Sequence, residues 1–477
     1  MRPVLPPPPP LAPNLVLAVV DTTRADALGL EGGGVAPTLR AAARMGRSYT
    51  RATSPSPWTP PAHASMFTGL APGEHGVWGP NLLDADGWPR PGCIRGPLLA
   101  RWLPAVLAER GYRTLGVSAN SWIGGYLGFD HGFDRFTSVR YNPSGRVRRT
   151  RAVRLGRLLP ARLADRLRRR RVAGQLSRRG QDWGAGLTLT VLRDWLAESR
   201  RPFFAFLNFM EPHWPYHPPP GFEGYSPAEA RHALEVLVRY RGPAWQRTPL
   251  PPEDAAMLRR LYLGEVGYLD RRLGELLELL ADGDRLEDTV VVVVADHGEH
   301  LGEHGLLGHV GSVYQELLHV PLLVLGPEEL VGRGVEDTRV STRRLYHALL
   351  DWAGCEAASL VSDEPVVADY EGVWSHAGSL RRMRNPPDDP HLKAAVWALY
   401  GGPWKYVREQ TGEERLCNLD ADPGETTDAQ ADGSRSTLRR QLAEVLAERR
   451  PCLLGPQAGQ GERDLDTEAE LRALGYL

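Results

Sequence analysis

Short apolar runs that end at polar residues are the dominant pattern along most of the chain. Residues 14–20 and 289–295 are the clearest, because each is a nearly continuous apolar run that an aspartate follows at once, Asp21 and Asp296. Continuous runs of this length are typical of strands that are buried on both faces of a parallel sheet. Three further runs predict strands: 114–119, 203–209 and 320–325.

Helical patterns lie between these runs. Apolar side chains recur at helical spacing between residues 258 and 280, which predicts one long amphipathic helix. Residues 37–45 predict another helix, and Thr59 followed by Pro60 predicts a helix start with Thr59 as the N-cap. Helices between short apolar strands indicate a doubly wound α/β fold, a mostly parallel sheet flanked by helices. Ligands in such folds bind beyond the carboxyl ends of the strands, where the two aspartates are expected.

The pattern changes after about residue 360. Residues 394–400 and 404–407 predict two short strands around a Gly-Gly-Pro turn, and residues 436–449 predict a terminal helix. This region therefore resembles a smaller α+β subdomain. We expect three regions in all: a proline-rich arm over 1–13, a catalytic domain over 14–360 and a C-terminal subdomain over 361–477.

Composition excludes several classes of protein. The 477 residues include 42% hydrophobic and 24% charged residues, which is typical of a soluble globular protein. The net charge of −1 argues against a dedicated nucleic-acid binder, so no nucleic-acid partner is expected. Four scattered cysteines do not predict a disulfide framework. The N-terminal arm lacks the apolar core of a signal peptide, so we expect a cytoplasmic protein.

One segment departs strongly from the average charge. Residues 146–179 contain fourteen arginines and a single acid, Asp165, so the segment carries +13 and the rest of the chain −14. The segment is either a basic amphipathic helix that contacts anionic lipid, or a solvated insertion whose arginines pair with acids of the protein. The first alternative would make the protein membrane-peripheral.

Candidate metal ligands are concentrated in residues 296–309. Directly after a predicted strand, this segment holds four histidines and three acids. Carboxylate oxygens and imidazole nitrogens together suit zinc, manganese or a similar divalent ion. Asp296 and His297, adjacent at the strand end, are the strongest candidates, whereas any one of the other histidines fits a structural role as well.

Thr59 is the second candidate for chemistry. A hydroxyl at an N-cap usually only caps its helix, and spacing alone favours that interpretation. The same position lies at the positive end of a helix dipole, where anions are stabilised. A metal ion there would lower the pKa of the hydroxyl and make it a nucleophile.

These motifs resemble the sulfatase family of the alkaline phosphatase superfamily. The matching segments have the family's order and spacing: 14–29 (NLVLAVVDTTRADALG), 59–69 (TPPAHASMFTG), 111–120 (GYRTLGVSAN), 208–219 (NFMEPHWPYHPP), 295–309 (ADHGEHLGEHGLLGH), 404–406 and 416–425 (LCNLDADPGE). The resemblance implies an alkaline-phosphatase-like fold and a hydrolase acting on ester bonds. It also implies a metal site formed by Asp21, Asp296, His297 and the nucleophile position, with His213 near the bound anion.

The sequence departs from the family at the nucleophile. The family's Cys-x-Pro-Ser-Arg motif aligns with Thr-Pro-Pro-Ala-His, so Thr59 stands for the cysteine or serine and His63 for the arginine. Typical sulfatases convert that cysteine or serine to formylglycine, and threonine cannot be converted. Thr22 stands for the second aspartate of the family's usual pair. The chain has only two lysines, Lys393 and Lys405, and neither matches the positions of the family's sulfate-binding lysines.

A threonine nucleophile with Asp, Asp and His ligands is similar to phosphate-transferring relatives, such as nucleotide pyrophosphatase/phosphodiesterases and lipoteichoic acid synthase. We therefore expect a metal-dependent hydrolase of anionic phosphate esters, mono- or diesters, that forms a covalent threonine intermediate. The alternative is a sulfuric ester hydrolase that works without formylglycine. A third alternative is an inactive member that binds an anionic lipid or glycan. The implied cofactor is one divalent ion (Mn, Zn or Ca), and a second ion is left open.

Further polar side chains are expected around Thr59. Four are candidate hydrogen-bond donors to the charge of the transition state: His213, His217, His309 and Asn120. His309 or His213 is expected to protonate the leaving group as general acid. His63 either orients Thr59 or faces the core.

Overall fold

The strands predicted from apolar runs form the centre of one large sheet in the computed structural model. Asn14–Val20, Phe203–Phe209 and Thr289–Ala295 have the predicted bounds, and all their residues are buried. Arg113–Ser118 begins one residue before its predicted start. Leu322–Leu325 begins two residues late, because Pro321 has no N–H to give to the ladder.

The structure describes residues 12–78, 93–139, 182–198, 202–219, 250–309, 311–355, 358–371 and 394–449, with a few positions between 221 and 236. The predicted arm is therefore described only at its last two residues, and the arginine-rich segment 146–179 lies outside the described residues.

The strands are short and follow one another in this order: β1 (Asn14–Val20), β2 (Gly46–Tyr49), β3 (Ala52–Thr53), β4 (Arg113–Ser118), β5 (Arg135–Ser138), β6 (Phe203–Phe209), β7 (Thr289–Ala295), β8 (His300–Leu301), β9 (Leu307–Gly308), β10 (Leu322–Leu325), β11 (Gly334–Glu336), β12 (Val340–Ser341), β13 (Val366–Tyr370), β14 (Val396–Gly401), β15 (Trp404–Glu409) and β16 (Glu414–Asn418).

The α-helices lie between them: α1 (Ala25–Leu28), α2 (Pro37–Ala43), α3 (Thr59–Thr68), α4 (Pro72–His75), α5 (Leu103–Glu109), α6 (Ala185–Glu198), α7 (Pro252–Asp282), α8 (Gln315–Leu318), α9 (Glu328–Val331), α10 (Leu345–Trp352) and α11 (Asp432–Glu448). Short 3-10 helices cover Gly96–Arg101, Leu286–Asp288, Glu303–Gly305 and Thr342–Arg344. Of the helices that the structure describes, none combines the length and the apolar character that a bilayer crossing needs.

The large sheet has eight strands in the order β11-β2-β10-β7-β1-β6-β4-β5. The first strand of the chain, β1, lies between β6 and β7 and is parallel to both. Only β10 runs antiparallel to its neighbours. The mostly parallel sheet with flanking helices confirms the predicted doubly wound α/β fold class.

A second, antiparallel sheet of four strands, β13-β14-β15-β16, follows in the C-terminal region. Helix α11 packs against it through a small apolar cluster: Val367, Leu399, Tyr406, Leu416, Leu438 and Leu442. Helix α11 begins four residues earlier than predicted. This sheet and helix confirm the smaller α+β part of the predicted fold, whereas the boundary at residue 360 stays a prediction.

One buried ion pair fixes the second sheet to the segment that follows the histidine-rich residues 296–309. Lys405, on β15, lies 2.7 Å from Glu425, and both side chains are fully buried. The Lys405 ammonium also donates to the backbone oxygen of Val313. Glu425 Oε2 accepts from the Gln315 amide at 2.6 Å. The two charged side chains therefore hold the backbone that follows the histidine-rich segment.

The predicted N-cap of α3 is wrong by one residue. Trp58 is the N-cap, with an extended backbone (φ −154°, ψ 162°), and Thr59 is the first residue of the helix. The capping preference of threonine is overridden because the Thr59 hydroxyl lies beside a histidine of another segment, 3.1 Å from His297 Nε2.

Candidate active site

Asp21 and Asp296 meet at the carboxyl edge of the large sheet. They directly follow β1 and β7, which are parallel neighbours paired through Val20 and Ala295. Together with His297 they offer three ligand atoms within 4.8 Å of one another, and all three residues are buried. The structure therefore brings together the two aspartates and the histidine that the sequence pattern singled out.

One oxygen of each aspartate is held by the protein. Asp21 Oδ2 accepts from Asn120 Nδ2 at 2.6 Å, and Asp296 Oδ1 accepts from the backbone amides of Thr22 and His297 at 3.2 and 2.9 Å. The other oxygens, Asp21 Oδ1 and Asp296 Oδ2, are buried without a hydrogen-bond partner among the described residues. Buried carboxylate oxygens are normally paired or coordinate a metal ion.

The electrostatics of these carboxylates fit a cation. Burial, and then the charge of Asp296, raise the pKa of Asp21 well above its usual value. Burial likewise raises the pKa of Asp296, against hydrogen bonds from the His297 and Thr22 amides. Two carboxylates and one imidazole are a donor set that Zn²⁺ or Mn²⁺ takes. The three residues therefore fit a divalent ion.

The tautomer of His297 follows from its neighbours. Its Nδ1 lies 3.0 Å from the carbonyl oxygen of Gly298, which can only accept, so Nδ1 carries the proton. Nε2 is then unprotonated and lies 3.1 Å from Thr59 Oγ1. The same nitrogen can accept from the threonine hydroxyl or bind a metal ion, so Thr59 lies at the ligand cluster.

His63 contacts both Thr59 and the core. Its Nδ1 donates to the backbone oxygen of Thr59 at 3.0 Å, and its ring packs edge-on against Phe206 at 5.9 Å. Burial lowers the pKa of His63 to about 3, so the ring is neutral. His63 therefore faces an apolar space with its ring, and its predicted role in orienting the Thr59 hydroxyl stays a prediction.

Asn120 contacts a candidate metal ligand. Its amide nitrogen donates to Asp21, as described above, and its Oδ1 accepts from the Trp122 amide at 2.8 Å. These bonds fix the orientation of the Asp21 carboxylate. The expected donation from Asn120 to a substrate stays a prediction.

Two of the other candidate histidines, His309 and His213, lie in a row beside His297. The ring centroids of His297 and His309 are 4.6 Å apart, and those of His309 and His213 are 5.1 Å apart. His309 Nδ1 lies 3.0 Å from Glu299 Oε1, and His213 Nδ1 lies 2.6 Å from the carbonyl oxygen of Trp214. The partner atom is an oxygen in both contacts, so Nδ1 of each histidine is a donor.

His217, the fourth candidate donor, is placed by its backbone. Its amide donates to Glu265 Oε1 at 2.7 Å, and its side chain is partly exposed. Its contribution to the site stays a prediction.

Asn208 is a site residue that sequence reasoning missed. It lies in β6, and its Oδ1 accepts from the Asn120 amide at 3.1 Å. Its Nδ2 lies 3.4 Å from His63 Nε2. Asn208 thus joins the histidine of α3 to the asparagine that holds Asp21. The signal was present, because a fully buried strand with one amide side chain is unusual.

Comparisons with known proteins agree with the family resemblance of the sequence. A family model described as Sulfatase matches residues 13–355. Arylsulfatase K of Homo sapiens is 25% identical over 454 residues, which cover 87% of this chain and 78% of that protein. Choline-sulfatase of Rhizobium meliloti is 28% identical over 262 residues, a match that spans about half of each protein, 48% of this chain and 46% of the relative.

Solved structures share the fold. A phosphonate monoester hydrolase of Agrobacterium radiobacter superposes with a TM-score of 0.64 at 20% identity, over 92% of this chain and 96% of that chain. A structure described as a 2-O GAG sulfatase gives 0.63 at 14% identity, over 94% and 99% of the two chains. At these identities the likeness concerns the fold alone.

Proposed function

Because the chain belongs to the sulfatase family, whose members are hydrolases acting on ester bonds, we propose that it cleaves phosphate esters through a covalent intermediate on Thr59. The observation that carries this proposal is the 3.1 Å contact between Thr59 Oγ1 and His297 Nε2 beside two buried, partly unpaired carboxylates. A purely structural threonine has no need of such neighbours.

The proposed metal site consists of Asp21, Asp296 and His297, with Thr59 as a further ligand. A divalent ion bound there would supply Lewis-acid polarisation of the substrate and a lowered pKa for the threonine hydroxyl. The protein's own contribution is to hold the ligand atoms in place, through Asn120 at Asp21 and through backbone amides at Asp296.

In the proposed reaction, Thr59 Oγ1 forms a bond to phosphorus while the bond from phosphorus to the leaving oxygen breaks. The hydroxyl proton of Thr59 passes to solvent. The doubly protonated ring of His309 gives its Nε2 proton to the leaving oxygen and keeps the Nδ1 proton that it shares with Glu299. Glu299 orients His309 by accepting from Nδ1. His213, when doubly protonated, donates from Nε2 to an oxygen of the transferred group, while its Nδ1 proton stays on the Trp214 carbonyl oxygen. Water then cleaves the phosphothreonine and restores the hydroxyl, as in other covalent mechanisms.

Phosphate is favoured over sulfate by what surrounds Thr59. Threonine cannot form the aldehyde that typical sulfatases use. Among the described residues the one lysine, Lys405, is fully buried and paired with Glu425, so it is not a sulfate ligand. The side chains of histidines lie around Thr59 instead. The alternative remains a sulfuric ester hydrolase, which the named activities of the curated relatives favour.

Two further proposals concern the location of the protein and its contact with lipid rather than the reaction. We retain a cytoplasmic location and a contact between residues 146–179 and anionic lipid as predictions. The third alternative, an inactive member that binds a lipid or glycan, has less support, because Asp21, Thr59, Asp296 and His297 are all retained and gathered at one point.

The decisive experiment compares aryl esters of phosphate, phosphodiester, phosphonate and sulfate with Mn²⁺, Zn²⁺ or Ca²⁺ added to chelator-treated protein. We expect a phosphate or phosphodiester to be the best substrate. We also expect ³²P from a labelled substrate to remain on the acid-quenched protein at Thr59. A clear preference for the sulfate ester would overturn the ranking.

Matched variants test the nucleophile. Thr59→Ala should abolish turnover and labelling without loss of the fold, whereas Thr59→Ser keeps a hydroxyl and should keep part of both. Undiminished turnover by folded Thr59→Ala would contradict the assignment.

A further inference from the structure

The residue after Asp21 has an unfavourable backbone conformation. Thr22 has a φ of +52°, in the left-handed region that β-branched residues rarely adopt. The side chain does not explain this, because Thr22 Oγ1 is buried and has no hydrogen-bond partner among the described residues. Such a conformation persists only where the surrounding structure imposes it.

Two contacts impose it. The Thr22 amide donates to Asp296 Oδ1 at 3.2 Å, and the Thr22 carbonyl oxygen accepts from the Tyr262 hydroxyl at 2.8 Å. The same hydroxyl accepts from the amide of Arg24 at 2.8 Å. One phenol oxygen therefore connects two backbone groups that flank Thr23, at the turn that begins with Asp21.

Tyr262 is itself rigidly held. It lies on the long helix α7, is fully buried, and packs edge-on against Tyr216 at a centroid distance of 5.5 Å. Among the described residues, its hydroxyl bonds to the backbone of Thr22 and Arg24. Its contacts go to the turn that carries one ligand, which makes it a support for that turn.

We propose that Tyr262 is a positioning residue whose hydroxyl holds the Thr22 turn so that the Asp21 and Asp296 carboxylates converge, and that it thereby sets the affinity for the divalent cation. The inference rests on the proposed metal site. Loss of a group that orients metal ligands lowers metal affinity by about 10-fold to 100-fold. We expect a loss in that range when the hydroxyl is removed.

The test is a calorimetric titration of chelator-treated protein with Mn²⁺ and, separately, with Zn²⁺. Tyr262→Phe removes only the hydroxyl and should weaken binding by at least about 10-fold. Tyr268→Phe is the matched control. Tyr268 lies on the same helix, is also buried, and its hydroxyl also donates to Asp182 and accepts from Arg272, away from the Thr22 turn. The metal affinity of the Tyr268→Phe variant should equal that of the unaltered protein.

A second variant separates positioning from general damage. Glycine adopts the left-handed conformation without steric cost, so in a Thr22→Gly background the turn depends less on the hydroxyl. The loss caused by Tyr262→Phe should then be smaller than in the unaltered background. Because two ratios are compared, any direct contribution of the Thr22 hydroxyl to metal binding cancels.

Three results would count against the proposal. Equal metal affinities of Tyr262→Phe and the unaltered protein would overturn it and leave the metal site intact. Equal losses with and without Thr22→Gly would show that the hydroxyl does not act through this turn. Failure of the unaltered protein to bind either metal would overturn the proposed function as well.

Discussion

Two buried groups of charged side chains in this protein differ in how their charges are balanced. Lys405 and Glu425 form a complete ion pair at 2.7 Å, and they also hold backbone groups of the neighbouring segment. Asp21 and Asp296 are as deeply buried, yet among the described residues no lysine or arginine lies within ion-pair distance of them. The ion-pair contacts of Asp296 are with His63 and His297. The C-terminal pair, Lys405 and Glu425, balances its own charge. The sheet-edge pair, Asp21 and Asp296, consists of two like charges and does not.

This difference distinguishes an ion pair with a structural role from carboxylates at a candidate ligand site. A buried charge is tolerated when a partner neutralises it, and removal of the partner is strongly unfavourable. Carboxylates kept without such a partner mark a place where a ligand supplies the charge. Glu211 shows a third solution: burial, followed by the charges of Asp182 and Glu265, raises its pKa to about 8, so it keeps its proton at neutral pH.

The largest expected effect comes from the sheet-edge pair. Asp296→Asn should lower kcat/KM by about 10³-fold or more, since metal-ion catalysis contributes several kcal/mol to the transition state. The metal-free variant should melt no lower than the unaltered metal-free protein, because the substitution removes repulsion with Asp21. Melting in chelator and steady-state assays measure both. A lower melting temperature with unchanged turnover would show that Asp296 contributes to stability and not to catalysis.

The C-terminal pair should respond the other way. Lys405→Met should lower the free energy of unfolding by about 3–5 kcal/mol, because it leaves a buried carboxylate alone. Turnover per folded molecule should change little. Urea unfolding measures the loss, and the double variant with Glu425→Gln should recover most of it. If the double variant is no more stable than the single one, the ion pair is not the cause.

Metal addition should distinguish the two regions directly. At a free concentration 100 times the Kd, a bound ion stabilises the folded state by about 2.7 kcal/mol. We expect this gain in the unaltered protein and in the Lys405→Met/Glu425→Gln variant, but not in Asp296→Asn. Thermal melting with and without Mn²⁺ is the measurement. Equal gains in all three proteins would place the ion elsewhere.

Glu211 should make the stability of the protein depend on pH. Because folding raises its pKa from 4.5 to about 8, the folded state holds a proton that the unfolded chain releases in that interval. Its contribution to stability is therefore complete below pH 4.5 and declines as the pH rises to about 8. Glu211→Gln imitates the protonated form, so its melting temperature should exceed that of the unaltered protein increasingly toward pH 8. Parallel curves would contradict the raised pKa.

The features that the sequence predicted best are local. Strands β1, β6 and β7 have the predicted bounds. For β1 and β7 the reason is that an apolar run ends sharply at an aspartate. The meeting of Asp21 and Asp296 followed from two such ends in a parallel sheet. The role of Thr59 as a candidate nucleophile came from the family resemblance, since spacing alone favoured a cap.

The features that could not be predicted depend on distant contacts. The antiparallel direction of β10 has no signature within its four apolar residues. Tyr262 fits the apolar stripe of a long helix, and its bond to Thr22 joins residues 240 positions apart. Thr59 was misplaced by one residue because a long-range contact with His297 outweighed the capping preference.

The central position of β1 has a consequence for the synthesis of the protein. Its neighbour β7 is paired through Asn14 and Thr289, which are 275 residues apart. At about 5–20 residues per second, a ribosome needs roughly 14 to 55 s to make the intervening chain. Until β7 is made, the edge of β1 that pairs with it has unpaired backbone groups. A chaperone bound to the nascent N-terminal region in this interval would protect the chain from aggregation.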